Sequence, residues 1–203
     1  MKSFSKSLFF VMSMALIVAV TFAFKPAAKM YKVNPSLSKI KWTGEKVTGE
    51  HWGMVKAQSG HLHMDGDQIK GDFEIDMSSI DVRDLEGEHK QKLEGHLKSA
   101  DFFGVEKHPM AKFTIKKAYR QGKEKNEYKV VGDLTIKGIT KEISFPAKID
   151  VSKDQMKAKA TIKVDRTAFD VRYGSGSFFD NLGDKTIYDE FTLDVDLVGQ
   201  ANS

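Results

Sequence analysis

Apolar and polar residues alternate with a period of two along this chain almost to its end, the pattern of strands that bury one face and solvate the other. Ile69, Gly71, Phe73, Ile75 and Met77 alternate with Lys70, Asp72, Glu74 and Asp76. Tyr128, Val130, Gly132, Leu134 and Ile136 repeat the pattern, followed by Ile143, Phe145, Ala147, Ile149 and Val151. Met156, Ala158, Ala160, Ile162 and Val164 oppose Lys157, Lys159 and Lys163, and Phe191, Leu193, Val195 and Leu197 close the series. Weaker strands are expected at Ile40 to Thr43, Val55 to Met64 and Lys112 to Ala118. Turn-forming residues separate the runs at Asp65-Gly66-Asp67, Gln121-Gly122-Lys123, Lys137-Gly138 and Ser152-Lys153-Asp154. Seven or eight half-buried strands joined by short turns make an antiparallel sheet that curls into a barrel or folds into a sandwich.

Two segments depart from the alternation. Between Asp84 and Lys98, Leu85, His89, Leu93, His96 and Leu97 recur at three- and four-residue steps, which predicts one helix capping a barrel end or covering a sheet edge. From Thr167 to Asp184 the chain is irregular and rich in Gly, Ser and aromatics, a loop of a length that is uncommon unless functional.

The N-terminus reads as a targeting segment. Lys2 and Lys6 precede an uncharged apolar run from Leu8 to Phe24 with small residues at its end, the layout of a secretory signal peptide. The expected division is a signal peptide over 1–23, with cleavage as late as 28, and a β-barrel domain over 30–200. An uncleaved anchor is the alternative, because the run approaches the ~17-residue lower limit of a spanning helix. The chain has no cysteine, which excludes disulfides, thiolate metal sites and a cysteine nucleophile. Its 32 basic and 28 acidic residues are interspersed, so no nucleic-acid stripe is present. Removing Lys2 and Lys6 leaves 30 basic residues against 28 acidic ones.

Side-chain size on the apolar faces carries the next inference. Gly71, Gly132, Ala147, Ala158 and Ala160 stand where a filled eight-stranded barrel needs bulk, which suggests room for a long apolar guest. The alternative is that Phe73, Phe145 and Phe191 fill that space. Catalytic chemistry is poorly supported. The six histidines show no compact metal-ligand spacing. Ser175 and Ser177 do not match the Gly-x-Ser-x-Gly nucleophile turn. Arg166 and Arg172 flank the long loop and would suit an anionic headgroup.

Several segments together resemble the YceI-like family of secreted lipid- and polyisoprenoid-binding proteins. They are Tyr31-Lys32-Val33-Asn34-Pro35; His96-Leu97-Lys98-Ser99-Ala100-Asp101-Phe102-Phe103 followed by His108-Pro109-Met110-Ala111-Lys112-Phe113; Gly132 to Lys141; and Asp165-Arg166-Thr167-Ala168-Phe169. Leu37 and Asp170 depart from the residues common in that family, histidine and glycine. The resemblance implies an all-β fold: a single antiparallel, eight-stranded, lipocalin-like barrel with one helix, about 84–98, near the barrel end. It also implies an isoprenoid chain or similar amphiphile inside, and no catalytic residues.

The candidate ligand-binding set is Phe73, Phe102, Phe103, Phe113, Leu134, Phe145, Ala158, Ala160, Arg166, Phe169 and Phe191. The expected function is a non-catalytic periplasmic or secreted bacterial carrier of a polyisoprenoid, quinone-like or other long apolar lipid. It would need no metal and no cofactor beyond such a bound lipid. Expected partners are that lipid and, transiently, a membrane or lipid-loading protein, with no nucleic acid; oligomeric state is left open, a homodimer included. Two alternatives stand beside it. One is an enzyme acting on such a lipid through His96, Asp101 and Arg166; the other is a stress or structural protein with a filled barrel.

Overall fold

The computed structural model describes residues 28–65 and 68–201. The expected signal peptide lies outside these residues, as does the Gly66-Asp67 part of the first turn. Nine strands form one antiparallel sheet: β1 (Lys29–Val33), β2 (Lys39–Lys46), β3 (Gly49–Asp65), β4 (Gln68–Val82), β5 (Met110–Arg120), β6 (Glu127–Ile136), β7 (Ile139–Val151), β8 (Gln155–Asp165) and β9 (Ile187–Ala201). From β2 to β9 each strand pairs with the next in sequence, and β9 returns to β2, so the sheet closes into a barrel.

The barrel has eight strand positions because β1 and β2 share one. β1 pairs with His61–Met64 of β3, whereas β2 pairs with Gly49–Val55. On the other side β9 offers Gly199–Ala201 to β1 and Ile187–Asp196 to β2. The break between them is an Asx turn, in which the Asn34 side-chain oxygen accepts from the Ser36 and Leu37 amides and the Ser36 hydroxyl.

The β3–β4 register shifts twice: Gln58 of β3 is extra between the Ala57–Ile75 and Ser59–Glu74 pairs, and Met77–Ile80 of β4 bulge between the Lys56–Asp76 and Met54–Asp81 pairs, where the Asp76 carboxylate accepts from the Ser78 amide and hydroxyl. Past Met77 the inward face of β4 therefore shifts register to Ile80 and Val82, both buried. Val151, counted with the apolar face of β7, is exposed at the strand's end.

The helix α1 (Gly87–Lys98) is shorter than the sequence pattern suggests. Glu86 caps it without a side-chain bond, and Gly87 at φ +55° lets the chain turn sharply into it. It lies at one barrel end beside β4. Lys90 pairs with Asp81 at 2.6 Å, and Glu94 accepts the Val82 amide at 2.9 Å. His89 is exposed, while Leu93, His96 and Leu97 are half-buried.

Candidate ligand cavity

At the end away from α1, Tyr31, Leu62, Ile69 and Met156 are at most 1% exposed and fill the barrel. The Tyr31 hydroxyl donates to the Ser152 carbonyl at 2.8 Å and ties β1 to the β7–β8 turn. Above this plug an internal cavity of about 220 Å³ opens, walled by residues from all eight strand positions. Along β9 its lining runs from Ile187 to Leu197, roughly 30 Å of strand at the usual rise. It is therefore long and narrow, the shape of a single hydrocarbon chain. Among its lining residues the ionisable ones are Glu74, Lys159, Arg166, Tyr188 and Glu190; the rest of the wall is essentially aliphatic and aromatic.

The structure brings together Phe73, Phe102, Phe103, Phe113, Leu134, Phe145, Ala158, Ala160, Arg166 and Phe191 on this cavity. Phe169 is the exception. It is 1% exposed, in the 3-10 turn Arg166–Phe169 after β8, and does not border the cavity. The inward parity of β8 runs through Val164 to Arg166 and ends where that turn begins.

The small residues divide into two kinds. Ala147, Ala158 and Ala160 border the cavity as expected. Gly71 and Gly132 instead accommodate neighbours: a Cβ on Gly132 would stand 2.7 Å from the Phe113 ring, and one on Gly71 would stand 2.6 Å from the His61 carbonyl. Aromatic rings and backbone use those two spaces, so the room for a guest comes from the alanines.

The loop after α1 places two rings at the mouth. Phe102 and Phe103 lie in a turn, closed by bonds from their amides to the Ser99 and Leu97 carbonyls, so strand alternation does not separate them. Both border the cavity, edge-to-face at 4.9 Å, and Phe103 meets Phe191 at 6.3 Å.

Arg166 does not have the use expected from the sequence. Its guanidinium is 2% exposed and all its donors are engaged. Nε donates to the Tyr188 carbonyl at 3.0 Å, and Nη1 to Val171 and Tyr173 at 2.7 and 2.9 Å. Nη2 donates to Ile187 at 2.9 Å and, at 3.5 Å, to the Asp189 carboxylate. A planar five-donor fork with every N–H directed at protein oxygen has none left for a headgroup. Its role is to hold the 170–186 loop against the start of β9.

Burial pushes the Asp189 carboxyl upward, but hydrogen bonds from Ser175 and Ser177 and the Arg166 charge outweigh it and leave the group below its ordinary range. The two loop serines are thus engaged as structural donors. Of the remaining polar candidates, Asp101 is exposed, and His96 packs on the Phe102 and Tyr173 rings at 5.4 and 4.4 Å.

Two buried side-chain nitrogens lack a hydrogen-bond partner among the described residues, Trp42 Nε1 and His96 Nε2. Trp42 borders the cavity, and its indole lies over Gly53, where a Cβ would come within 2.5 Å of the ring. The sequence reading missed Trp42. Its visible signal was the Ile40, Trp42, Gly44 alternation, with a glycine directly opposite the indole on the next strand.

These features define the class of the protein as a closed antiparallel β-barrel with a narrow, hydrocarbon-walled interior. The chain belongs to the YceI-like domain family, whose model matches residues 31–199. Among curated relatives, a UPF0312 protein of Photorhabdus laumondii is 37% identical over 71 residues, 35% of each chain. One of Staphylococcus aureus is 38% identical over 112 residues, 55% of this chain and 57% of that one. The chain thus spans about a third to somewhat over half the length of these relatives.

Burkholderia cenocepacia BcnA shares the fold with a TM-score of 0.65 at 23% identity, covering 82% of this chain and 98% of that one. A polyisoprenoid binding domain from Saccharophagus degradans aligns with a TM-score of 0.61 at 12% identity, covering 85% and 98%.

Proposed function

We propose that this protein is a non-catalytic carrier that holds one long apolar lipid, a polyisoprenoid or quinone-like molecule, inside its barrel. The observation that carries the proposal is the long cavity with a hydrocarbon wall, which a thin apolar chain matches and a polar substrate does not. The fold likeness to a polyisoprenoid binding domain supports the same reading. Trp42 Nε1 offers one hydrogen bond to a neutral acceptor such as a carbonyl or ether, while Arg166 has none to offer an anion. A lipid with a neutral polar end is therefore favoured.

The basic start and apolar run of the first residues support export to the periplasm or beyond, where the carrier would meet a membrane or lipid-loading protein transiently. Organic extraction of the purified protein followed by mass spectrometry tests the cargo. A co-purifying long-chain lipid is expected; a protein that neither carries such a lipid nor takes one up from vesicles would refute the carrier. N-terminal sequencing of exported protein should begin between Phe24 and Met30, and retention of Met1 would count against cleavage.

A further inference from the structure

We infer that the barrel wall between β7 and β8 is a lateral slit, and that the hydrocarbon chain of the cargo enters and leaves sideways through it. The inference deepens the carrier proposal and rests on it. Its basis is a missing ladder. β7 runs from Ile139 to Val151 and β8 from Gln155 to Asp165, yet the two strands pair only from Lys148–Lys159 to Val151–Met156, next to their turn. Elsewhere both strands are fully paired: β7 with β6 from Ile139 to Lys148, and β8 with β9 along its whole length. From Ile139 to Ala147 on one strand, and from Ala160 to Asp165 on the other, one edge of each strand is therefore left without a ladder.

The far end of the gap is bridged where Lys137 Nζ donates to the Asp170 carbonyl at 3.0 Å. Pro146, midway along the gap, has no N–H to give, so β7 lacks one ladder bond there.

Two further observations connect this gap to the cavity. The inward-pointing residues along it, Ile143, Phe145 and Ala147 on β7 and Ala160, Ile162 and Val164 on β8, all line the cavity. An external groove crosses Pro146 and Thr161 and shares Ala147, Lys159, Ala160 and Val195 with the cavity wall. Inside and outside thus meet at the gap. Lys141, Glu142 and Lys163 on its outer rims are exposed charges of the kind that discourage a foreign strand from pairing with an open edge.

Cross-linking tests the slit. The chain has no cysteine, so Ser144→Cys with Lys163→Cys places the only thiols on opposite rims, both at exposed positions outside the cavity lining. A dithio-bismaleimide would bar the slit and release it on reduction. The control pair is Asp150→Cys with Lys157→Cys, which are already ladder partners. The probe is the methyl ester of cis-parinaric acid, a thin neutral polyene chain that fluoresces in apolar surroundings, loaded by stopped flow and withdrawn by excess phosphatidylcholine vesicles.

The rim bridge should slow both loading and release by about tenfold or more, a barrier rise of at least roughly 1.4 kcal/mol. The equilibrium affinity should change by less than about twofold. Reduction should restore the rates, and the control bridge should leave them unchanged. Rates unaffected by the rim bridge, with affinity intact, would overturn the slit and leave the carrier standing. Failure of the unbridged protein to bind the probe at all would overturn both.

Discussion

Replacing Arg166 by alanine separates a structural arginine from a headgroup ligand. The guanidinium supplies hydrogen bonds to the carbonyls of Val171, Tyr173, Ile187 and Tyr188 and a longer contact to Asp189. Tyr173 and Tyr188 are 50% and 47% exposed, so water can rehydrate their carbonyls once the arginine is gone. Val171 is fully buried and Ile187 half-buried, and an unsatisfied buried acceptor costs about 1–3 kcal/mol. Two such acceptors, with loss of the side chain's packing on the Phe102 ring at 5.7 Å, put the expected destabilisation at about 3–5 kcal/mol. That is a large part of the ~5–15 kcal/mol by which a domain is stable.

Urea unfolding should show a lower midpoint at unchanged slope, and amide exchange should accelerate over 170–186 before it does in the strands. Arg166→Lys should recover only part of the loss, because an ammonium cannot reproduce the planar fork. In the folded fraction, affinity for an anionic and a neutral chain of equal length should fall by the same factor. A stability loss under about 1 kcal/mol, coupled to selective loss of the anionic chain, would refute the structural role and return Arg166 to the binding site.

Trp42→Phe keeps one aromatic ring but removes the unpaired N–H with the fused five-membered ring, so it should weaken lipids with a carbonyl or ether end more than a plain hydrocarbon of equal length; equal losses for both would remove Trp42 from recognition. Gly132→Ala should cost about 1–3 kcal/mol by pushing a methyl against the Thr114 carbonyl and the Phe113 ring, and a thermal melt that is unchanged or higher would show that these two groups do not crowd Gly132 as described. Because the Asp189 carboxyl lies below its ordinary value when folded, its contribution is complete above about pH 4 and fades as the pH falls through the folded value. Proteolytic nicking of the 170–186 loop should therefore rise on acidification below the ordinary carboxylate value, and a loop equally protected there would contradict this account. In a series of saturated primary alcohols, affinity should climb by about fourfold per methylene, from ~0.8 kcal/mol each, until the chain reaches the Tyr31–Met156 plug. A series with no such limit would mean that the plug yields.

The strand faces were legible because a period-two pattern with one apolar face leaves little freedom in register, and the cavity alanines could be read from the same faces. Other features were hidden for definite reasons. Gly132 looks like empty space in sequence, and only its position across from Phe113 shows the space to be taken. Phe102 and Phe103 are neighbours that an extended chain would send to opposite sides; a turn brings both to the mouth. Arg166 sits at the inward parity of β8 beside a loop, a placement that fits a ligand contact as well as a loop anchor. Its partners are backbone carbonyls, which carry no signature in side-chain identity.

The slit was hidden for a related reason. The inward faces of β7 and β8 read as complete strands, Ile143 to Ile149 and Met156 to Val164, and nothing in their alternation says that their facing edges part beyond Lys148 and Lys159. Pairing is a relation between strands, whereas alternation belongs to one strand at a time. The local hint was Pro146, a residue that a strand laddered on both edges accommodates poorly. A barrel that must admit a long chain without unfolding gains from a wall with one weak seam. The seam costs little where each strand keeps a full ladder on its other side, as β7 does with β6 and β8 with β9.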